Sequence, residues 1–193
     1  MLLDNMQQLG IYPKEIDVVV LSHIHGDHIG GLDGLLKANP DVTVYFPTTF
    51  PMRFKGSLTR LGIKMVEVND PARICKGVYS IGVLGSWMKE QSLSVSTDRG
   101  VIVITGCAHP GIVNILKTVN KINEDPILLV MGGFHLGAMR KAQLEEIIAN
   151  FRELGVGRVG PCHCTGELSR QTFKQKYGND CLDVGVGRLI EFE

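Results

Sequence analysis

The run His23-Ile24-His25-Gly26-Asp27-His28 places four potential metal ligands within six residues. In an extended segment alternate side chains share a face, so His23 and His25 can converge on one ion while Asp27 and His28 turn toward a second position beside it. Neutral imidazole and carboxylate suit zinc, iron or manganese, and paired ions about 3.5–4 Å apart activate a bridging water for hydrolysis. Asp27 is also placed to orient that hydroxide or accept its proton. Gly26, Gly30 and Gly31 permit a tight backbone path around the cluster. A lone histidine is more often a core or surface residue than a ligand, and the clustering reverses those odds.

The remaining histidines, His109, His135 and His163, each end or follow an expected strand, where loops present side chains from a rigid scaffold. His135 follows two glycines that let its loop approach a site closely. It can bind a substrate phosphate or carboxylate, act as general acid, or support a ligand from behind. Cys107 and His109 are two apart and can face the same side as ligands, although Cys107 can equally be an inert buried thiol. Cys162 and Cys164 flank His163 and, in a strand, would point away from it toward packing. Cys75 and Cys181 carry no motif and read as structural. The start of the helix after His109 offers backbone donors to an anion, as any buried helix start does.

These residues need a layered scaffold. Short β-branched runs alternate with segments of helical period, which gives an α/β or α+β class. Strands are expected at Asp17–Leu21, Val42–Phe46, Lys64–Val68, Val78–Leu84, Val101–Thr105, Pro126–Met131 and from Arg158. Helices are expected at Gly31–Ala38, ended by Asn39-Pro40, and at Pro51–Arg60. A further helix begins near Pro110 with the stripe Ile112, Ile115, Leu116, Val119, and another carries Leu144, Ile147, Ile148 and Phe151, closed by Gly155. Gly185-Val186-Gly187-Arg188 is too short for a nucleotide loop and reads as a turn before a last strand.

At 193 residues, with 44% hydrophobic and 21% charged residues, one compact domain over 1–193 is expected. Twenty basic residues balance twenty acidic ones, so nothing in the overall charge argues for a nucleic-acid or anionic-membrane partner. Apolar runs fall short of the ~20 residues of a membrane span, and Met1 to Gly10 lacks the order of an export signal. Five cysteines without framework spacing point to a reducing cytoplasm.

The segment Leu21-Ser22-His23-Ile24-His25-Gly26-Asp27-His28-Ile29-Gly30-Gly31 resembles the signature of the metallo-β-lactamase superfamily. Thr105-Gly106-Cys107-Ala108-His109-Pro110-Gly111-Ile112-Val113-Asn114, Met131-Gly132-Gly133-Phe134-His135-Leu136 and Pro161-Cys162-His163-Cys164-Thr165-Gly166 are similar to a narrower branch, that of the dihydropteroate-synthase-like enzyme of methanopterin biosynthesis. The resemblance implies an α+β fold of αββα layers. It implies two divalent metals, zinc first, with His23, His25 and His109 on one ion and Asp27, His28 and His163 on the other. The candidate catalytic groups, from the reading of the residues above, are Asp27 and His135.

Two departures from the family pattern stand out. Gly106 is followed by Cys107 where many members carry a bridging aspartate, and the cluster begins at residue 23, so most of the N-terminal sheet is expected to be absent. An uncovered sheet edge would favour a dimer or other homo-oligomer. The leading expectation is a cytoplasmic metal-dependent hydrolase of a small ester or phosphate. The alternatives are a transferase joining a pterin to an aminobenzene ribosyl phosphate, and an inert metal-binding module.

Overall fold

The computed structural model describes residues 1–192, and the chain divides into two compact units, Met1–Asn69 and Asp70–Glu193. The first comprises α1 (Leu2–Gln8), β1 (Val18–Val20), α2 (Gly26–Ile29), α3 (Leu32–Ala38), β2 (Thr43–Pro47), α4 (Met52–Arg60) and β3 (Lys64–Val68). Its strands form a parallel sheet in the order β1-β2-β3. Parallel neighbours need a crossover, and α3 and α4 supply the two. Leu21, Leu32, Leu36, Val44, Phe46, Leu58 and Ile63 make the core, with the rings of Phe46, Phe50 and Phe54 5.0–5.4 Å apart. Asn39 ends α3 as expected: its backbone turns extended and its amide donates to the Pro13 and Ile16 carbonyls at 2.9 Å.

The second unit comprises β4 (Ala72–Cys75), β5 (Val78–Leu84), β6 (Glu90–Thr97), β7 (Gly100–Thr105), α5 (Ile112–Ile122), β8 (Ile127–Gly133), α6 (Lys141–Glu153), β9 (Arg158–Cys162) and α7 (Glu167–Tyr177). Six strands in chain order form one sheet, antiparallel from β4 to β7 and parallel from β7 to β9. The helical stripes face the core as expected, with Ile112, Ile115, Leu116, Val119, Leu144, Ile148 and Phe151 buried and Ile147 partly so. Gly155 follows α6 with φ +75°, the left-handed backbone glycine adopts without a Cβ clash.

Several expectations are corrected. The helix after His109 starts at Ile112 behind Gly111, whose φ of 91° places Pro110 before the helix rather than in its first turn. Strands β4 and β6 and helices α1, α2 and α7 lie outside the expected set. In β6 the residues Glu90, Gln91, Ser92 and Ser94 are all buried, so a polar sequence occupies a buried strand. Gly185–Arg188 does turn, with the Arg188 N–H donating to the Gly185 carbonyl at 3.1 Å, but among the described residues no strand follows. Cys75, expected to be structural, is exposed, and all five cysteines are free thiols. Among the described residues no helix is long and apolar enough to cross a membrane.

Candidate metal centre

In the first unit, Leu21 prolongs the sheet by donating its N–H to the Tyr45 carbonyl at 2.8 Å. The chain then carries Ser22 to His25 into the single turn of α2. His23 is fully buried. Its Nε2 lies 3.0 Å from His25 Nδ1, close to the roughly 3.3 Å edge of a tetrahedron with ~2.0–2.1 Å metal–nitrogen bonds. The His28 ring centroid is 4.1 Å from that of His23. Ser22 Oγ stands 3.0 Å from His23 Nδ1 and 3.4 Å from His28 Nδ1, so one hydroxyl orients two imidazoles, as supporting partners of ligating histidines do. Asp27 is more than half exposed, with Oδ2 3.3 Å from His28 Nε2.

The glycines do not all serve the turn. A Cβ on Gly30 would stand 2.7 Å from the Gly26 carbonyl oxygen, and one on Gly31 would stand 2.7 Å from Leu2, whereas Gly26 has open space around it. Gly30 and Gly31 are therefore required by close approach, and Gly26 is not.

In the second unit, the C-terminal ends of the neighbouring parallel strands β7, β8 and β9 carry the other three histidines. Among the described residues the non-glycine positions with positive φ are Ala108 (59°), His135 (54°) and His163 (49°), one after each of these strands. Left-handed backbone outside glycine costs about 1–3 kcal/mol and clusters at functional sites. Gly132 and Gly133 allow the loops to meet: a Cβ on either would stand 2.2 and 2.5 Å from the Thr105 and Gly106 carbonyl oxygens respectively. Hydroxyls lace the strand ends together. Thr105 Oγ1 donates to the Gly133 carbonyl at 2.8 Å, and Thr165 Oγ1 accepts the Phe134 N–H at 3.1 Å.

Glu90, which opens β6, is buried beneath this loop cluster. Its Oε1 accepts the N–H groups of Cys107 and Ala108 at 2.8 and 2.9 Å, and its Oε2 accepts that of His109 at 2.9 Å and meets His109 Nδ1 at 2.8 Å. Burial alone would push its carboxyl up, but the three amides and His109 outweigh that and hold it below the usual carboxylate range. Successive backbone N–H groups form an anion-binding nest, filled here by the chain's own carboxylate. The amides leading into α5 are therefore committed to Glu90. A histidine held through Nδ1 by a carboxylate is the arrangement that supports metal-ligating histidines elsewhere. Sequence reasoning missed Glu90 because no motif marks it between Lys89 and Gln91; only the need of three buried amides for an acceptor points to it.

His135 is exposed on a loop fastened on both sides by buried Phe134 and Leu136, and its ring lies 4.6 Å from that of His109. His163 does not end the strand as expected. Strand β9 stops at Cys162, and His163 opens a short 3-10 turn, His163–Thr165, so strand alternation does not govern its neighbours. Cys164 Sγ donates to the Cys107 carbonyl at 3.5 Å, and burial and the neighbouring Cys164 push the Cys162 thiol up. Cys107 itself is buried.

Side chains suited to a divalent metal are thus present in both units: His23, Asp27 and His28 in the first, and Cys107, His109 and His163 in the second. Imidazoles, one carboxylate and a thiol fit a borderline divalent cation.

Comparison with known proteins agrees. The 7,8-dihydropterin-6-methyl-4-(β-D-ribofuranosyl)-aminobenzene-5'-phosphate synthase of Methanocaldococcus jannaschii is 29% identical over 236 aligned residues, covering 99% of this chain and 80% of its own. Ribonuclease BN of Enterobacter sp. (strain 638) is 33% identical over 181 residues, 82% of this chain and 56% of its own. The solved structure of Tm1679, a metal-dependent hydrolase of the β-lactamase superfamily, matches with a TM-score of 0.81 at 29% identity, covering 98% of this chain and 84% of its own. Residues 1–119 match the model of the metallo-β-lactamase superfamily, whose members are usually metal-dependent hydrolases and whose fold implies divalent metal binding. On these residues and this α+β fold, the chain belongs to the metallo-β-lactamase superfamily.

Proposed function

We propose that the chain is a metal-dependent hydrolase of a small ester or phosphate, with His23, His25, Asp27, His28, His109 and His163 holding two divalent ions, zinc first among them. The observation that carries this reading is the gathering of His23, His25 and His28, with Nε2 of the fully buried His23 3.0 Å from Nδ1 of His25. A divalent metal held by these residues would supply hydroxide near neutral pH and polarise the substrate oxygen. The chain's own groups do the rest. Ser22 and Glu90 fix imidazoles in orientation, exposed Asp27 takes or orients a proton, and His135 faces the leaving-group oxygen as acid or anion partner.

The test is elemental analysis of the purified protein followed by turnover of an ester and phosphate panel before and after chelation. Bound metal is expected, together with loss of turnover on chelation and in H25A and D27A. Activity that survives complete metal removal would sink the proposal.

A second reading is supported by similarity to the Methanocaldococcus synthase along nearly the whole chain. It is a transferase joining a pterin alcohol diphosphate to an aminobenzene ribosyl phosphate, and product analysis with those two substrates separates it from hydrolysis.

A further inference from the structure

Trp87 is the chain's single tryptophan and is 71% exposed, on the loop joining β5 to β6. Scattered exposed apolar residues are ordinary, and Met52, Val186 and Leu189 are as exposed as Trp87. Trp87 differs in what it touches. Its ring meets that of His109 edge-on, at 5.4 Å between centroids and 85° between planes, and the His109 ring lies 4.6 Å from that of His135. Three flat rings therefore stand in succession at the strand ends that carry the candidate chemistry.

The loop that carries the indole is constrained. Gly85 begins its loop with φ +97°, and a Cβ there would stand 2.4 Å from the Met88 carbonyl oxygen and 3.4 Å from the Pro110 side chain, so the loop folds tightly back on itself. Three residues after Trp87, Glu90 enters β6 and binds His109 through both backbone and ring. One buried carboxylate thus ties the strand that follows the Trp87 loop to His109. At 71% exposure most of the indole is open to solvent, and an aromatic face beside a reactive centre binds flat rings by offset stacking at about 4.5–7 Å between centroids.

We infer that Trp87 is the platform on which a planar aromatic ring of the substrate stacks, placing the bond to be cleaved beside His109 and His135. This rests on the hydrolase reading and names the substrate class as aromatic esters or aryl phosphates. The stack contributes equally to ground and transition states, so it acts on KM and leaves kcat in place.

The experiment uses the zinc-loaded full chain with phenyl phosphate and hexyl phosphate, which differ in ring character at comparable apolar size. Phenyl phosphate should quench the single-tryptophan emission saturably. W87A should raise KM for phenyl phosphate roughly three- to tenfold with kcat held within about twofold, W87F should restore it, and hexyl phosphate should be insensitive to both variants. Equal losses for the two esters, a loss confined to kcat, or no emission change with phenyl phosphate overturns the inference. If neither ester is turned over, the hydrolase reading fails separately, and calorimetric binding of phenyl phosphate to the wild type and W87A decides the stacking.

Discussion

Glu90 Oε2 lies 2.8 Å from His109 Nδ1, and that contact joins the architecture of the second unit to its chemistry. The same carboxylate binds the amides of Cys107, Ala108 and His109, so the backbone carrying His109 and the tautomer of its ring are fixed by one group. Ala108 can hold its left-handed conformation because the nest it helps to form is filled.

Replacing Glu90 with Gln keeps its shape but turns an amide nitrogen toward backbone donors. At least one buried N–H then loses its acceptor, at a cost of about 2–4 kcal/mol in stability. Metal affinity should fall roughly 10–100-fold as His109 loses its orienting partner. Urea unfolding and metal titration of E90Q measure both, and a stability change under about 0.5 kcal/mol would contradict the nest.

Gly132, at the end of β8, makes a second test, with Gly26 as its control. Gly132 has φ +122° and no room for a Cβ, whereas Gly26 has neither restriction. Gly132→Ala should cost at least about 2 kcal/mol through backbone strain and displacement of Thr105, while Gly26→Ala should stay within about 0.5 kcal/mol. Equal unfolding midpoints for the two variants would show that the close approach of β7 and β8 carries no weight.

The parts of this molecule that could be read from its sequence are those whose signal is local. Lys64–Val68 and Val78–Leu84 emerged with their observed bounds because β-branched residues recur there between turn residues. The histidine cluster was legible because its members are consecutive. Strand β6 was not, since its buried face is built from Glu90, Ser92 and Ser94 rather than apolar side chains. Helix α7 escaped because its buried positions include Ser169 and Thr172 beside Phe173 and Tyr177. Glu90 acts on amides 17 to 19 residues away, a relation no window of sequence contains. The turn at His163 depends on a left-handed backbone, uncommon at any non-glycine residue and so without a local sequence signal.

The aromatic cluster of Phe134, Phe151 and Phe173, with ring centroids 5.3–5.7 Å apart, joins the β8 loop, α6 and α7. All three side chains are buried. Phe151→Ala should cost about 3–5 kcal/mol from lost burial and the cavity left behind. Because Phe134 adjoins His135, the variant should also loosen that loop, read as faster amide exchange at residues 134–136. A cost below about 1 kcal/mol would mean that the three rings do not pack as a unit.

Tyr177 sets an alkaline limit on stability. It is buried, with its hydroxyl 3.4 Å from the Val156 carbonyl oxygen and the Arg152 guanidinium 3.8 Å over its ring. Burial pushes its phenol from 10.0 up to about 12; Arg152 works against the shift and Asp180 adds to it. A raised folded value means that the unfolded chain releases the proton first. The stabilisation is therefore complete below about pH 10 and is lost as pH climbs from about 10 to about 12. Tyr177→Phe removes the titrating group at the cost of one long hydrogen bond, about 1 kcal/mol or less near neutrality. Urea midpoints compared at pH 8 and pH 11 should fall further in the wild type than in Y177F, and parallel declines would show that other groups govern the alkaline limb.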